Sequence, residues 1–354
     1  MKILHQTGNS RVAIEDVPML APGPGEVLIK TAVSALCGSE MPTFRGKDGR
    51  PYGNLGHEAA GVVVAFGPGA GDITSPVTRA PLEIGDRVGV SAIAGWPGEN
   101  PSVSDPHYIA GRYTWCDKFT FHCDMHADYF TIPAQACHVL PDDIPWDIGV
   151  LITGDGLGVP YHTSTKLAAL PGPVGQQTVV IFGLGPIGLG NVLMQTHLGR
   201  RVIGVDRAPG RLELARRLGA AHTIDAGSAT NATDIPAAVK KLTNNTGADI
   251  AIESAGVPAT ARLCFASVRK GGTVLFNGEQ PALELSPSED FIRRDITATG
   301  SWFYHFCEYP DMLAHARNGL PVASLITHRF PLAEAAGAYH VMQSGLSGKV
   351  LLTY

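Results

Sequence analysis

The sequence predicts an α/β protein in two parts, a β-rich part followed by a doubly wound parallel sheet. Three observations predict it. Over the first 150 or so residues, short β-branched runs alternate with Gly/Pro punctuation. From residue 177 onward, strand-like runs alternate with helical ones. The length of 354 residues also exceeds what one ordinary domain of ~100–200 residues holds, so two domains are expected.

In the first part, Glu26–Val33 and Ala60–Phe66 read as strands. Pro22-Gly23-Pro24-Gly25 precedes the first, and Gly67-Pro68-Gly69 follows the second. Such segments suit an irregular barrel or sandwich better than a parallel sheet. The second part opens on the buried-strand run Gln177–Phe182. A glycine loop and a helical stretch through His197 follow, then a strand at Arg201–Asp206. The next helix, Arg211–Leu218, stops at Gly219. Shorter strands recur at His222–Asp225, Asp249–Glu253, Gly272–Phe276 and Ile296–Gly300. Strands alternating with helices mean a parallel, doubly wound sheet. The chain closes with an amphipathic helix, Leu332–Ser344, and a strand, Lys349–Thr353. No internal repeat or low-complexity tract interrupts this order.

Composition narrows the function. Lys and Arg number 27 against 32 Asp and Glu, a net charge of −5, which gives no basic footprint for nucleic acid or a membrane surface. A hydrophobic fraction of 44% supplies a core and argues against disorder. Six cysteines are too sparse for a disulfide scaffold. Met1–Gln6 has no apolar core after its lysine, so no signal peptide is expected, and no apolar run approaches the ~20 residues that span a bilayer. A soluble cytoplasmic protein is expected. Glycine, at 42 residues, is the one excess, and its placement matters more than its number.

Gly183-Leu184-Gly185-Pro186-Ile187-Gly188 follows a strand and opens a helix. Gly183 permits the tight turn, Gly185 lets the backbone approach a pyrophosphate, and Gly188 lets helix and strand pack closely. Free N–H groups at the helix start then hold the phosphates. Asp206 ends the next strand, 18 residues after Gly188. A carboxylate there accepts from the adenosine ribose hydroxyls and repels a 2′-phosphate, which favours NAD over NADP. Arg207 beside it pulls the other way, because an arginine can pair with that phosphate.

Three features of the first part suggest a metal. Cys37-Gly38-Ser39-Glu40 closes a strand, Gly56-His57-Glu58 precedes another, and Asp155 sits in Thr153-Gly154-Asp155-Gly156. One thiolate, one imidazole and carboxylates form a mixed zinc set, and scattered ligands with an open position suit a catalytic site. Taken singly, each has a plainer reading. Cys37 could be a small buried hydrophobe, His57-Glu58 a polar turn, and Asp155 a helix cap. Their combination with a nucleotide loop favours the metal.

The sequence resembles the zinc-dependent medium-chain dehydrogenases, in the branch of sorbitol, iditol and other polyol dehydrogenases. The likeness spans essentially the whole chain. It is carried by Gly23-Pro24-Gly25-Glu26-Val27, Cys37-Gly38-Ser39, Gly56-His57-Glu58-Ala59-Ala60-Gly61, Gly85-Asp86-Arg87-Val88, the Gly183 loop with Asp206, and Gly348-Lys349-Val350. It implies a GroES-like catalytic domain from 1–155 and 303–354, and a Rossmann NAD-binding domain from 156–302. The catalytic domain would thus be discontinuous, regaining its last strand from the C-terminus. The resemblance makes Cys37 and His57 zinc ligands, Glu58 a ligand in some states, and Asp155 the fourth residue. Asp155 precedes Tyr161-His162 by six and seven residues, a spacing shared with many relatives. The family's structural-zinc pattern would fall on Ser102, Asp105, Tyr108 and Cys116. Those residues cannot form a thiolate site, so one catalytic zinc per chain and no structural zinc are expected. A replacement metal site at Cys116, His122, Cys123 and His126 competes with this view. The family-like strand Met125–Phe130 argues that His126 packs instead.

Further expectations follow from the resemblance. Ser39 stands where the family places its proton-relay hydroxyl. Pro42 occupies the usual relay-histidine position, so the outward route differs. Glu40 would support the metal from behind by orienting a histidine ligand. Arg211 would hold the adenosine ribose, Lys349 could reach the pyrophosphate, and Ser254 and Ala255 would lie against the adenine. Gly300-Ser301-Trp302 would end the last nucleotide-domain strand near the nicotinamide and a subunit interface. The implied reaction is hydride transfer between NAD and a secondary alcohol, a polyol, sugar or cyclitol, in a homodimer or homotetramer. Glu40, Arg45, Glu279 and His305 are polar candidates for its pocket, and Trp96–Tyr108 would shape the cleft. Two other readings are a zinc-free quinone or enoyl reductase of the same superfamily and a non-catalytic NAD-binding protein.

Overall fold

The computed structural model describes residues 1–46, 53–77, 80–95, 105–231 and 233–354. The chain divides into two compact units. One comprises Met1–Gly158, Phe303–Ser344 and Lys349–Tyr354, and the other Val159–Trp302 with Gly345–Gly348. Most of the Trp96–Tyr108 segment, together with Ser102, lies outside the described residues. Its end forms a short helix, Pro106–Ile109, whose first turn is capped by the Asp105 carboxylate accepting from the His107 N–H at 2.7 Å.

The first unit is built on a mixed sheet. Across it, the described strands run Ile326–Pro331, Lys349–Thr353, Glu26–Ala35, Ala59–Phe66, Arg87–Val90 and Cys137–Val139. Tyr129–Pro133 also pairs with Glu26–Ala35. All these pairings are antiparallel except Ile326–Pro331 with Lys349–Thr353. Val27, Ile29, Val63, Val88, Phe130 and Ile132 are buried together in one core. Each such side chain contributes about 1.5–3 kcal/mol by leaving water. A second core gathers Leu4, Leu36, Phe44, Tyr339, Val350 and Leu352 around the C-terminal helix Ala335–Gln343.

The register of this sheet decides what stands at its end. Leu351 pairs with Ala35 on one side of the central strand, and Ser34 pairs with Ala59 on the other. The Ala35 N–H donates to the Glu58 carbonyl at 2.9 Å, and the Leu36 N–H to the Val350 carbonyl at 3.0 Å. Cys37 therefore emerges between Lys349 on one flank and His57-Glu58 on the other. A slip of one residue would turn these side chains to the opposite face.

The second unit is a six-stranded parallel sheet among the described residues. Its order is His222–Asp225, Arg201–Asp206, Thr178–Phe182, Ala248–Glu253, Val268–Phe276 and Thr297–Gly300. That order reverses direction beside Thr178–Phe182, the switch point at which doubly wound sheets bind nucleotides. Val179, Val180 and Ile181 are all fully buried, which explains an apolar run without alternation. The helix expected from Arg211 starts earlier, at Pro209, because proline at the first helical position lacks only an N–H that would be unpaired anyway. The strand expected at Gly272–Phe276 begins at Val268, where a bulged pairing with Ala248 extends it. No helix among the described residues is long and apolar enough to cross a membrane.

Candidate active site

Cys37, His57, Glu58 and Asp155 come together in the first unit. All four are buried, and one donor atom from each lies within 4.8 Å of the others. Cys37 sits at the turn after strand Glu26–Ala35, His57 and Glu58 just before strand Ala59–Phe66, and Asp155 at the start of helix Asp155–Ala168. The Cys37 thiol donates to Asp155 Oδ2 at 3.4 Å, and His57 Nε2 lies 3.3 Å from the same oxygen. His57 Nδ1 donates to the Leu55 carbonyl at 2.9 Å. That bond fixes the ring and leaves Nε2 for a ligand.

Glu58 is anchored differently. Its Oε1 accepts from the Lys349 ammonium, and its Oε2 from the Gly156 N–H at 3.3 Å. The glycines flanking Asp155 make room for this approach. A Cβ at Gly154 would stand 2.8 Å from Glu58 Oε2, and one at Gly156 would stand 3.1 Å from Lys349 Cε. Lys349 is itself 1% exposed. Lys349, expected within reach of a pyrophosphate, pairs with Glu58 in the structure, because the strand register sets the two side by side.

Burial and neighbouring charge shape the titration of the cluster. Burial, reinforced by the Asp155 charge, pushes the Cys37 thiol up. Burial works against protonation of His57, but Cys37 and Asp155 prevail and draw it well above its usual value. Burial likewise opposes Asp155 ionising, yet His57 holds its carboxyl below the ordinary range. In Glu58, burial outweighs the opposing pull of Lys349 and raises the carboxyl.

The donor set fits a metal on an observation of its own. Asp155 Oδ1 is buried with no hydrogen-bond partner. A buried carboxylate oxygen without a donor is costly, and a cation at this point would relieve it. A thiolate, an imidazole and carboxylates are the ligand chemistry of a catalytic zinc. Ser39 lies exposed on the turn after Cys37.

Glu40 is 1% exposed, its Oε1 accepts the Cys37 backbone N–H at 2.7 Å, and the histidine it faces is His126. Burial opposes its ionisation, but His126 beside it holds the carboxyl down at about 2. It is therefore withdrawn from any open pocket. Arg45 and Glu279 are exposed, and His305 is buried with Nδ1 against Thr114 Oγ1 at 2.9 Å. Glu279 belongs to the second unit, the other three to the first. The competing set of Cys116, His122, Cys123 and His126 is not gathered as a metal group among the described residues. His122 Nε2 meets Thr120 Oγ1 at 2.8 Å, and His126 faces Ser34 and Glu40. Sequence reasoning missed Phe121, whose half-exposed ring lies 5.4 Å from that of His57. No spacing signal marks it, since the contact joins a separate strand.

In the second unit, the Gly183 loop lies at the switch point. Gly183 has a left-handed φ of +86°, and a Cβ at Gly188 would fall 1.8 Å from the Gly183 carbonyl oxygen. A Cβ at Gly185 would meet nothing within 4 Å, so that face of the loop is open. Pro186 opens helix Pro186–His197, and the Ile187 carbonyl accepts from Asn191 Nδ2 at 3.1 Å. Asp206 accepts from the Leu184 N–H at 2.6 Å and the Ala208 N–H at 2.8 Å, so strand end and loop are tied together. Arg207 is exposed, and Arg211 lies on helix Pro209–Arg217. Ala255 packs against Gly183, and Ser254 Oγ is buried with no hydrogen-bond partner. An open glycine face beside an orphaned hydroxyl fits a polar ligand such as a dinucleotide. Ser301 is buried and Trp302 is 40% exposed after the edge strand Thr297–Gly300.

A parallel sheet with this loop, and a β-rich unit with a buried thiol–imidazole–carboxylate set, define a nucleotide- and metal-dependent oxidoreductase. Residues 23–142 match the alcohol dehydrogenase GroES-like domain, and residues 186–318 match the zinc-binding dehydrogenase family. The chain is 31% identical to an uncharacterized zinc-type alcohol dehydrogenase-like protein of Escherichia coli (strain K12), over 100% of this chain and 99% of that protein. It is 30% identical to the sorbitol dehydrogenase of Gallus gallus, over 99% of this chain and 95% of that one. The crystal structure of galactitol-1-phosphate dehydrogenase from Escherichia coli matches at 26% identity with a TM-score of 0.80, covering 100% of both chains. The chain belongs to the zinc-type alcohol dehydrogenase family.

Two predictions follow. Lys349→Met leaves Glu58 buried without its cation and should lower unfolding free energy by about 3–5 kcal/mol in urea titrations. Unchanged stability with a large fall in NAD affinity would return Lys349 to the cofactor. Asp206→Gly, with Arg207 kept, should shift the ratio of NADP to NAD affinity towards NADP. An unchanged ratio would remove Asp206 as the selector.

Proposed function

We propose that this chain catalyses reversible, NAD-linked oxidation of a secondary alcohol on a polyol, sugar or cyclitol, with one catalytic zinc per chain. The carrying observation is the convergence of four buried donor residues, one of which, Asp155, keeps an unpartnered carboxylate oxygen. When bound, zinc supplies Lewis acidity that lowers the pKa of an alcohol, and the nicotinamide accepts a hydride. The chain's own residues do the rest. Cys37, His57 and Asp155 would hold the metal. Lys349 keeps Glu58 in reach of the site while neutralising it. The exposed Ser39 hydroxyl, two residues after Cys37, is the group to receive the substrate's proton and pass it outward. With Pro42 at the usual relay-histidine position, water or ribose hydroxyls would complete the route. Phe121 gives the histidine side an apolar wall. Asp206 would accept from the ribose hydroxyls, with Gly183, Gly185, Pro186, Ile187 and Gly188 around the pyrophosphate and Ser254 and Ala255 near the adenine. Arg211 would hold the adenosine ribose.

The relatives named for sorbitol and galactitol 1-phosphate support a polyhydroxylated substrate. Retention of all four donor residues favours this over a zinc-free reductase. A cytoplasmic homodimer or homotetramer is the expected setting.

Polyols, cyclitols and sugar alcohols, free and phosphorylated, should be assayed for NADH formation. At least one should turn over, and chelation should abolish the rate together with the bound zinc. Cys37→Ser should lose both zinc and turnover yet keep NAD affinity. A variant that loses NAD binding but keeps zinc would sink the assignment.

A further inference from the structure

Against the Cys37 and Gly56-His57 turns lies a second buried polar group, which the proposed chemistry does not use. Glu40 and His126 are 1% and 0% exposed, and His126 Nε2 lies 3.2 Å from Glu40 Oε2. Around them stand Gln6, Ser34, Tyr339 and Tyr354. Gln6 Nε2 donates to Glu40 Oε2 at 3.2 Å, and the Tyr339 hydroxyl donates to the same oxygen. Ser34 Oγ bridges His126 Nδ1 at 2.8 Å and the Tyr354 hydroxyl at 2.7 Å. Burying polar groups has a desolvation cost that an apolar core of equal volume avoids, so this buried network asks for a reason.

The geometry points to one. We infer that Glu40 and His126 are a positioning pair that locks the Cys37 turn and the Gly56-His57 turn in metal-binding register. The inference rests on the metal-site reading above. Glu40 reaches the first turn, accepting the Cys37 N–H at 2.7 Å. His126 reaches the second turn, where its ring lies on the Gly56 backbone. A Cβ at Gly56 would come within 2.4 Å of that ring. Asn54 fastens the same contact. Its Oδ1 accepts from Gly56 N–H at 3.1 Å and His126 N–H at 3.3 Å, and its Nδ2 donates to the His126 carbonyl at 3.1 Å. The Met125 N–H donates to the Gly56 carbonyl at 3.0 Å. A single histidine thus abuts one ligand turn and pairs with the carboxylate that holds the other. A backbone hydrogen bond with a carboxylate acceptor is stronger and more directional than one with a neutral group, so the Cys37 turn is held stiffly. Rigid support from outside the ligand set is what tunes metal affinity.

The chain and its Glu40→Gln, Glu40→Asp, His126→Phe and double Glu40→Gln/His126→Phe variants provide the test. Zinc affinity is measured by chelator competition. The thiolate-to-metal absorption of the cobalt-loaded protein reports the Cys37 bond, and urea unfolding of the metal-free protein reports stability. Glu40→Gln and His126→Phe should each weaken zinc affinity by about 10–100-fold and alter the cobalt band. The double variant should be little worse than either single one, as expected of one unit. Glu40→Asp should recover part of the loss. If His126→Phe does not fold, His126→Gln takes its place, and NAD binding shows that the second unit is intact. Wild-type zinc affinity and cobalt spectrum in both single variants, even with lowered stability, would overturn the pair. A wild-type chain that binds no zinc would overturn the metal site and the pair with it.

Discussion

Two carboxylates, a thiol and an imidazole are buried within 4.8 Å of one another, and water cannot compensate their charges there. Lys349 answers for one carboxylate. The other, Asp155, shares Oδ2 with Cys37 and His57 and leaves Oδ1 with no donor at all. A cation held among these atoms would turn an electrostatic liability into a stabilising centre. Much else in the first unit serves this point. The strand register sets Cys37 between Lys349 and Glu58, the glycines beside Asp155 clear the space, and Leu55 fixes the imidazole.

The second unit obeys a different constraint. Its loop must turn sharply out of a buried strand and keep an open face at Gly185. Gly183 and Gly188 meet the steric demand, and Asp206 braces the turn by accepting the Leu184 N–H. That carboxylate is a structural acceptor for both the loop and the turn after the strand, since it also takes the Ala208 N–H. The glycine excess of the sequence acquires locations here and beside Asp155, where backbone or side chains approach too closely for a Cβ.

The sequence made much of this legible, for identifiable reasons. Alternating strand and helix signals, Val179–Ile181 as an unbroken apolar run, and the glycine spacing are local patterns, so the parallel sheet and its loop could be anticipated. Cys37, His57, Glu58 and Asp155 were nameable by residue type, and the structure gathers them. The pairing of Lys349 with Glu58 left no local signal, since the two lie 291 residues apart in sequence and only strand pairing brings them together. Glu40 was expected behind the metal, but its route to the Cys37 backbone through a partnership with His126 depends on a neighbour 86 residues distant. His126 in turn sits in a strand-like apolar stretch, where a histidine reads as packing until its carboxylate partner is seen. Phe121 carries no pattern at all, because aromatic contacts with a ligand ring leave no spacing signature.

The central claim is that one metal ion belongs among Cys37, His57 and Asp155. Anomalous diffraction at the zinc absorption edge from crystals of the zinc-loaded chain tests it most directly. The account predicts a single strong peak per chain, bonded to Cys37 Sγ and His57 Nε2 with a carboxylate completing the protein ligands. No peak at that position, or a peak among Cys116, His122 and Cys123 instead, would contradict it.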